Sequence, residues 1–224
     1  IEYYAVDYLG NEEPHHIITV NVDSSPPETT ISFGMPYYYD GNHWITTSTP
    51  IYLDAVDYPD CAVGVEAIYY RINYGPWQEY TGAFYIQEEC VHTIEYYAVD
   101  YLGNEEPHHI ITVNVDSSPP ETTISFGMPY YYDGNHWITT STPIYLDAVD
   151  LPDCAVGVEA IYYRINYGPW QEYTGPFNIG AECSHIIEYY AVDYLGNEEP
   201  HHIITVNVDD SSPSTTISFG TPYY

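Results

Sequence analysis

The sequence predicts an all-β chain of tandem β-sandwich domains. Three observations predict it: a 93-residue repeat, hydrophobic alternation with a period of two, and Gly and Pro punctuation at short intervals. Residues 1–57 recur unchanged as 94–150, an offset of 93, and the match continues to Gly82 and Gly175 with only Tyr58 becoming Leu151. The copies then differ between 83–93 and 176–186, and a third copy starts at Ile187. The seams are Asp-Ser-Ser-Pro-Pro at 23–27 and 116–120, because proline cannot donate to a sheet ladder. The expected domains are 24–116 and 117–209. Residues 1–23 read as the last strands of a preceding repeat, and 210–224 as the first strand of a following one. The chain is accordingly expected to be a window on a longer array.

Within one repeat, residues 29–33 read as a first strand, while 37–39 and 43–46 flank Asp40-Gly41, a hairpin turn. Further strands are expected at 51–56, 67–74, 78–81, 84–87, 93–100 and 108–116. In the last, His109, Ile111, Val113 and Val115 alternate with Ile110, Thr112 and Asn114. No stretch carries a capped helix pattern. About seven short strands in 93 residues predict an immunoglobulin-like (fibronectin III-like) β-sandwich.

The charge excludes several functions. Asp and Glu number 33 against two basic residues, Arg71 and Arg164, for a formal net charge of −31. Almost nothing is available to neutralise phosphates, which argues against nucleic acid and equally against docking on an anionic membrane. No apolar run approaches the roughly 18 residues a membrane span needs. With 45% hydrophobic residues and 29 tyrosines the chain is expected to fold. Without lysine there is neither a P-loop nor a Schiff base, HExxH and GxSxG are absent, and tandem sandwiches offer no cleft for paired carboxylates, so no catalysis is expected. Lysine–asparagine crosslinks are equally excluded. No Asn-x-Ser/Thr sequon occurs, although 46–50 (TTSTP) could carry O-linked sugar. Four cysteines in a β-patterned chain suit an oxidising, extracellular setting.

The acids point to a metal. In a head-to-tail array the end of one sandwich meets the loops of the next, so Asp23 is expected near Asp57, Asp60, Asp100, Asn104, Glu105 and Glu106. Asp116 is likewise expected near Asp150, Asp153, Asp193, Asn197, Glu198 and Glu199. Converging carboxylates with an amide carbonyl suit calcium, the one cofactor the chain suggests. The alternative is that Asp100 and Asn104 cap their own D-x-x-x-N turn while the glutamates are solvated; the two readings are compatible. The pairs His15-His16, His108-His109 and His201-His202 suggest zinc or copper, but neighbouring strand residues face opposite ways, so packing is the better reading. His43 and His136 lie beside turns.

Tyr37, Tyr38 and Tyr39, repeated as Tyr130, Tyr131 and Tyr132, place rings on both faces of one strand, with Trp44 and Trp137 just past the turn. One face fills the sandwich. The other meets solvent, another copy of the chain, or a surface glycan or protein. The cysteines allow Cys61–Cys90 and Cys154–Cys183 inside each repeat, or Cys90–Cys154 across a seam. The expected strand order puts Cys61 and Cys90 at opposite ends of the sandwich, which favours the latter.

The runs YYRINYGPWQEYTGAFYI, HTIEYYAVDYLGNEEP and VDSSPPETTISFG resemble the tandem Ig-like repeats of bacterial and archaeal cell-surface proteins, most like archaeal versions in the CAVGV and EECxH segments. The resemblance covers essentially the whole repeat. It implies an extracellular or cell-surface location, a structural or adhesive role, and a cysteine pair within each repeat, so that Cys61–Cys90 and Cys154–Cys183 are the pairs expected, ahead of Cys90–Cys154. The resulting expectation is a stalk or filament segment, its junctions stiffened by calcium and disulfides, with an adhesin or carbohydrate-binding module as the alternative.

Overall fold

Each copy of the repeat folds the same way because the same residues alternate. The computed structural model describes residues 1–58, 62–152, 154–218 and 220. It divides into two units, Ile1–Val115 and Asp116–Tyr224. The first unit contains β1 (Glu2–Tyr3), β2 (His16–Ile17), β3 (Glu28–Phe33), β4 (Tyr37–Tyr39), β5 (His43–Ile45), β6 (Ile51–Val56), β7 (Val65–Ile72), β8 (Gln78–Glu79), β9 (Cys90–Asp100) and β10 (His109–Val115). The second contains β11 (Glu121–Phe126), β12 (Tyr130–Tyr132), β13 (His136–Ile138), β14 (Ile144–Val149), β15 (Val158–Ile165), β16 (Gln171–Glu172), β17 (Cys183–Asp193) and β18 (His202–Val208).

In the first unit β1 and β2 form a small exposed hairpin. The sandwich proper has two layers. β3 pairs with β6, and a six-stranded sheet runs β4-β5-β10-β9-β7-β8. All its pairs are antiparallel except β5 with β10, which are parallel. The second unit repeats this arrangement with β11–β14 and β12-β13-β18-β17-β15-β16, down to the register: Ile111 faces Ile94, and Ile204 faces Ile187.

Alternation sets the core. Val113 and Val115 of β10 are fully buried whereas Ile110 points outward at 59% exposure. They meet Ile45, Ile51, Leu53, Phe84, Ile94 and Tyr96, with Ile31 and Phe33 packed against them. Each fully buried isoleucine stabilises by about 1.5–3 kcal/mol. The TTSTP segment closes the sheet end. Thr49 Oγ1 accepts the Thr46 N–H at 2.9 Å and donates to the Pro36 carbonyl at 2.5 Å, and Thr142 does the same with Thr139 and Pro129 at 3.0 and 2.6 Å.

Four expected strands differ from those observed by two residues or more; among them β8 ends at Glu79 rather than at 81, and β9 begins at Cys90 rather than at 93. Strand β7 stops at Ile72 because Asn73 and Tyr74 take left-handed φ values of 50° and 57°, and the Gly75 N–H closes the turn on the Ile72 carbonyl. The strand expected at 84–87 is reduced to one bridge between Phe84 and Ile51, made by two backbone hydrogen bonds. Ile86 is still buried there, so side-chain packing holds the segment.

Candidate metal centre and aromatic hairpin

Two loops and one strand end within each unit bring three aspartates together. Carboxylate oxygens of Asp23, Asp57 and Asp100 lie within 4.8 Å of one another, as do those of Asp116, Asp150 and Asp193. Asp100 and Asp193 end the long strands β9 and β17, and both are fully buried. Asp193 Oδ1 accepts the Leu195 and Asn197 N–H groups, both at 2.8 Å, and its Oδ2 accepts Asn197 Nδ2 at 2.6 Å. Asp116 accepts the Ser118 and Val156 N–H groups, and Asp150 Oδ2 accepts that of Gly157. The first unit is built the same way. Asp23 accepts from Ser25 and Val63, Asp57 from Gly64, and Asp100 from Leu102 and Asn104.

One atom in each cluster is left over. The Oδ1 atoms of Asp57 and Asp150 are buried and have no hydrogen-bond partner. Burial first, and then the charges of Asp116 and Asp193, push Asp150 up to about 6. The two arginines offer no relief, because both are engaged elsewhere. Arg71 bonds Glu95 through Nε at 2.7 Å and a terminal nitrogen at 2.6 Å, with its guanidinium 4.4 Å over the Trp77 ring. Arg164 does the same with Glu188 and Trp170.

The remaining acids and amides go elsewhere. Asn104 and Asn197 sit beside the clusters but turn the amide nitrogen, not the carbonyl, toward Asp100 and Asp193. Glu105 and Glu198 are more than half exposed and lie 3.3 Å from His108 and His201. Glu106 is buried and accepts the Thr29 N–H and hydroxyl and the Ala98 N–H, with His109 3.0 Å away. Glu199 binds Thr122, Ala191 and His202 identically. Asp60 and Asp153 lie outside the described residues. Asp7 and Asn11 rebuild the D-x-x-x-N turn in exposed surroundings.

Both copies of His-His that lie within a repeat split between faces. His108 meets Glu95 and stacks on Tyr97, while His109 meets Glu106 and stacks on Tyr96. The Arg-Trp-His-Glu cluster is a feature that charge counting alone misses. Its signal was present: each of the only two cations precedes a tryptophan by six residues, in RINYGPW.

The tyrosine hairpin divides its rings as alternation requires. Tyr37 stacks on Phe33 and packs on the core, and Tyr130 stacks on Phe126. On the opposite face Tyr131 lies across from Trp137 in register, at 64% and 37% exposure. The Trp137 Nε1–H donates to Asp133. An open pocket of about 480 Å³ lies there, lined by Met128, Tyr131, Trp137 and Asp209 among others. His43 and His136 bond the hydroxyls of Tyr37 and Tyr130, each at 2.8 Å.

The cysteine pairing within each repeat requires correction. Cys183 is an exposed free thiol, so Cys154–Cys183 is not formed. Cys183 begins β17, whereas Cys154 lies in the loop leading to Val158, which pairs with Asp193 at the other end of that 11-residue strand. At ~3.3 Å per residue the ends are about 30 Å apart, against a limit of about 7 Å between bridged Cα atoms. Cys90 and Cys154 are both disulfide-bonded. Cys61 lies outside the described residues.

The strand order, a two-stranded layer on a six-stranded sheet whose last strand in the chain lies parallel to β5 or β13 and antiparallel to β9 or β17, decides the fold. The chain is a tandem of immunoglobulin-like repeats. No family model matches it, and no curated protein matches it. Among solved structures, it is similar to the fibronectin(III)-like modules of Clostridium thermocellum CbhA, with a TM-score of 0.41 and 9% identity over 84% of this chain and 100% of that one. It is also similar to the D00-D0 domain of intimin, with a TM-score of 0.31 and 13% identity over 79% and 99%. Both scores are low, and the fold assignment rests on the strand order.

Proposed function

We propose that the chain is a structural segment of an extracellular, cell-surface stalk or filament, built by repeating one Ig-like unit. The observation that carries this reading is the duplication itself: two sandwiches with the same pairing, residue for residue at an offset of 93, give a uniform repeating element. The high negative charge keeps such an array soluble and favours salt or divalent-rich surroundings. The role is mechanical rather than catalytic. Disulfides join one repeat to another, Cys90 to Cys154, since the two ends of a repeat are too far apart to be bridged internally. Electron microscopy of the native material tests the filament. Fibres of constant width with an axial period set by one repeat are expected; isolated flexible strings would overturn it. Non-reducing peptide mapping tests the disulfide, with a linked Cys90–Cys154 peptide expected and a Cys61–Cys90 peptide the contrary result.

A second reading is favoured by the open face of Tyr131 and Trp137, which suits sugar or peptide stacking. In it, repeated hairpins serve avidity in an adhesin. A glycan array separates the two: binding that is lost on Trp137→Ala supports the adhesin, and no binding leaves this face for packing against copies of the same chain.

A further inference from the structure

We propose that Asp116, Asp150 and Asp193 hold one calcium ion, and that Asp23, Asp57 and Asp100 hold another. The backbone explains only part of each cluster. In both, N–H groups take up one or both oxygens of each carboxylate, which fixes the side chains with their remaining lone pairs converging inside 4.8 Å. Three carboxylates at that spacing repel one another, and neither arginine is close enough to help because each is clamped to a glutamate and a tryptophan.

The independent sign of a ligand is the orphaned oxygen. A carboxylate oxygen shut off from solvent with no donor costs roughly 1–3 kcal/mol or more. The same atom is orphaned in both repeats, at Asp57 and Asp150. An all-oxygen, three-carboxylate donor set without sulfur or imidazole selects a hard cation. Calcium suits it better than magnesium, because calcium accepts irregular geometry and 6–8 oxygens, the balance here supplied by water, whereas magnesium demands a near-ideal octahedron.

The test uses the whole chain, stripped with chelator and titrated with calcium chloride by calorimetry and thermal melting. Two equivalents are expected, with a dissociation constant at or below about 10⁻³ M. A rise in melting temperature of roughly 10 °C is expected once calcium exceeds that constant a hundredfold. The paired change Asp57→Asn with Asp150→Asn should abolish binding and, in chelator, leave the melting temperature unchanged or higher, because a repelling charge has gone. Asp54→Asn with Asp147→Asn removes the same charge from exposed strand positions and should still bind two ions. Amide resonances of Gly64 and Gly157, which donate to Asp57 and Asp150, should shift in the wild-type chain, a readout that needs no variant to fold. An equal response to sodium chloride at matched ionic strength would mean screening alone and overturn the proposal. So would unshifted Gly64 and Gly157, or calcium binding that survives in the Asp57/Asp150 variant.

Discussion

Replacing Thr49 and Thr142 by valine changes one hydroxyl to a methyl in each repeat, at positions with no solvent exposure. The two are changed together because either repeat alone leaves the other to report. In the first repeat the hydroxyl accepts the Thr46 N–H, itself buried, and donates to the Pro36 carbonyl. Valine satisfies neither. Two backbone groups stranded at about 1–3 kcal/mol each, offset by about 0.8 kcal/mol for the added buried methyl, leave a net loss of about 1–5 kcal/mol per repeat. Serine provides the internal comparison, since it keeps both hydrogen bonds and loses only the methyl, about 1 kcal/mol. Urea denaturation followed by tryptophan fluorescence gives the ranking from midpoints at constant slope. Wild type above serine above valine is expected. A valine chain as stable as the serine chain would refute the reasoning, because packing would then outweigh the hydrogen bonds.

Three other outcomes follow from the same physics. Glu106→Gln with Glu199→Gln puts an amide where a buried carboxylate accepts from Thr29 and Ala98, or Thr122 and Ala191; a loss of about 1–3 kcal/mol per repeat is expected in urea, and no loss would mean the site rearranges. Arg71→Lys with Arg164→Lys keeps charge but gives up the forked contact to Glu95 and Glu188 and the stacking on tryptophan; about 1 kcal/mol or more per repeat should be lost, and an unchanged melting temperature would show that the clamp is ornamental. Burial raises the ionisation of Tyr70, Tyr96, Tyr163 and Tyr189 above the ordinary 10. Their folded forms therefore bind protons more tightly than the unfolded chain, so stability is intact below pH 10 and falls as pH rises beyond it; ultraviolet titration should show a late tyrosine fraction that ionises together with loss of circular dichroism, and early ionisation of every tyrosine would contradict it.

The repeat and the strands were legible because both are written in spacing. The pattern through Ile111, Val113 and Val115 names the buried face before any coordinates exist. Loops are less readable. Asp100 and Glu106 look alike in sequence, yet one closes a turn beside two other aspartates and the other turns under β3 to meet Thr29. What separates them is which backbone N–H is within reach, and composition carries no record of that. The amide of Asn197 is a similar case, since the neighbouring carboxylate dictates which end faces it. The cysteines were misjudged for a different reason. Resemblance spoke for a pair inside each repeat, while the free thiol of Cys183 and the eleven residues of β17 oppose it in the second; the alternation read as strand began only three residues after the cysteine, so its place at the head of the strand was not legible.

The parallel pairing of β5 with β10 has a consequence for a chain under tension. His43, Trp44 and Ile45 run alongside Val113, Asn114 and Val115 in the same direction. Pulling the start of the repeat away from its end therefore slides these strands lengthwise, and the hydrogen bonds between them resist together, as does the Asn114 side chain bonded to the His43 carbonyl. An antiparallel pair joined at one end would instead peel apart bond by bond. Forced opening is governed by the unfolding rate rather than by equilibrium stability, so this three-residue ladder, together with the six-residue pairing of β3 with β6 that precedes it in the chain, bears on how long each repeat withstands a load.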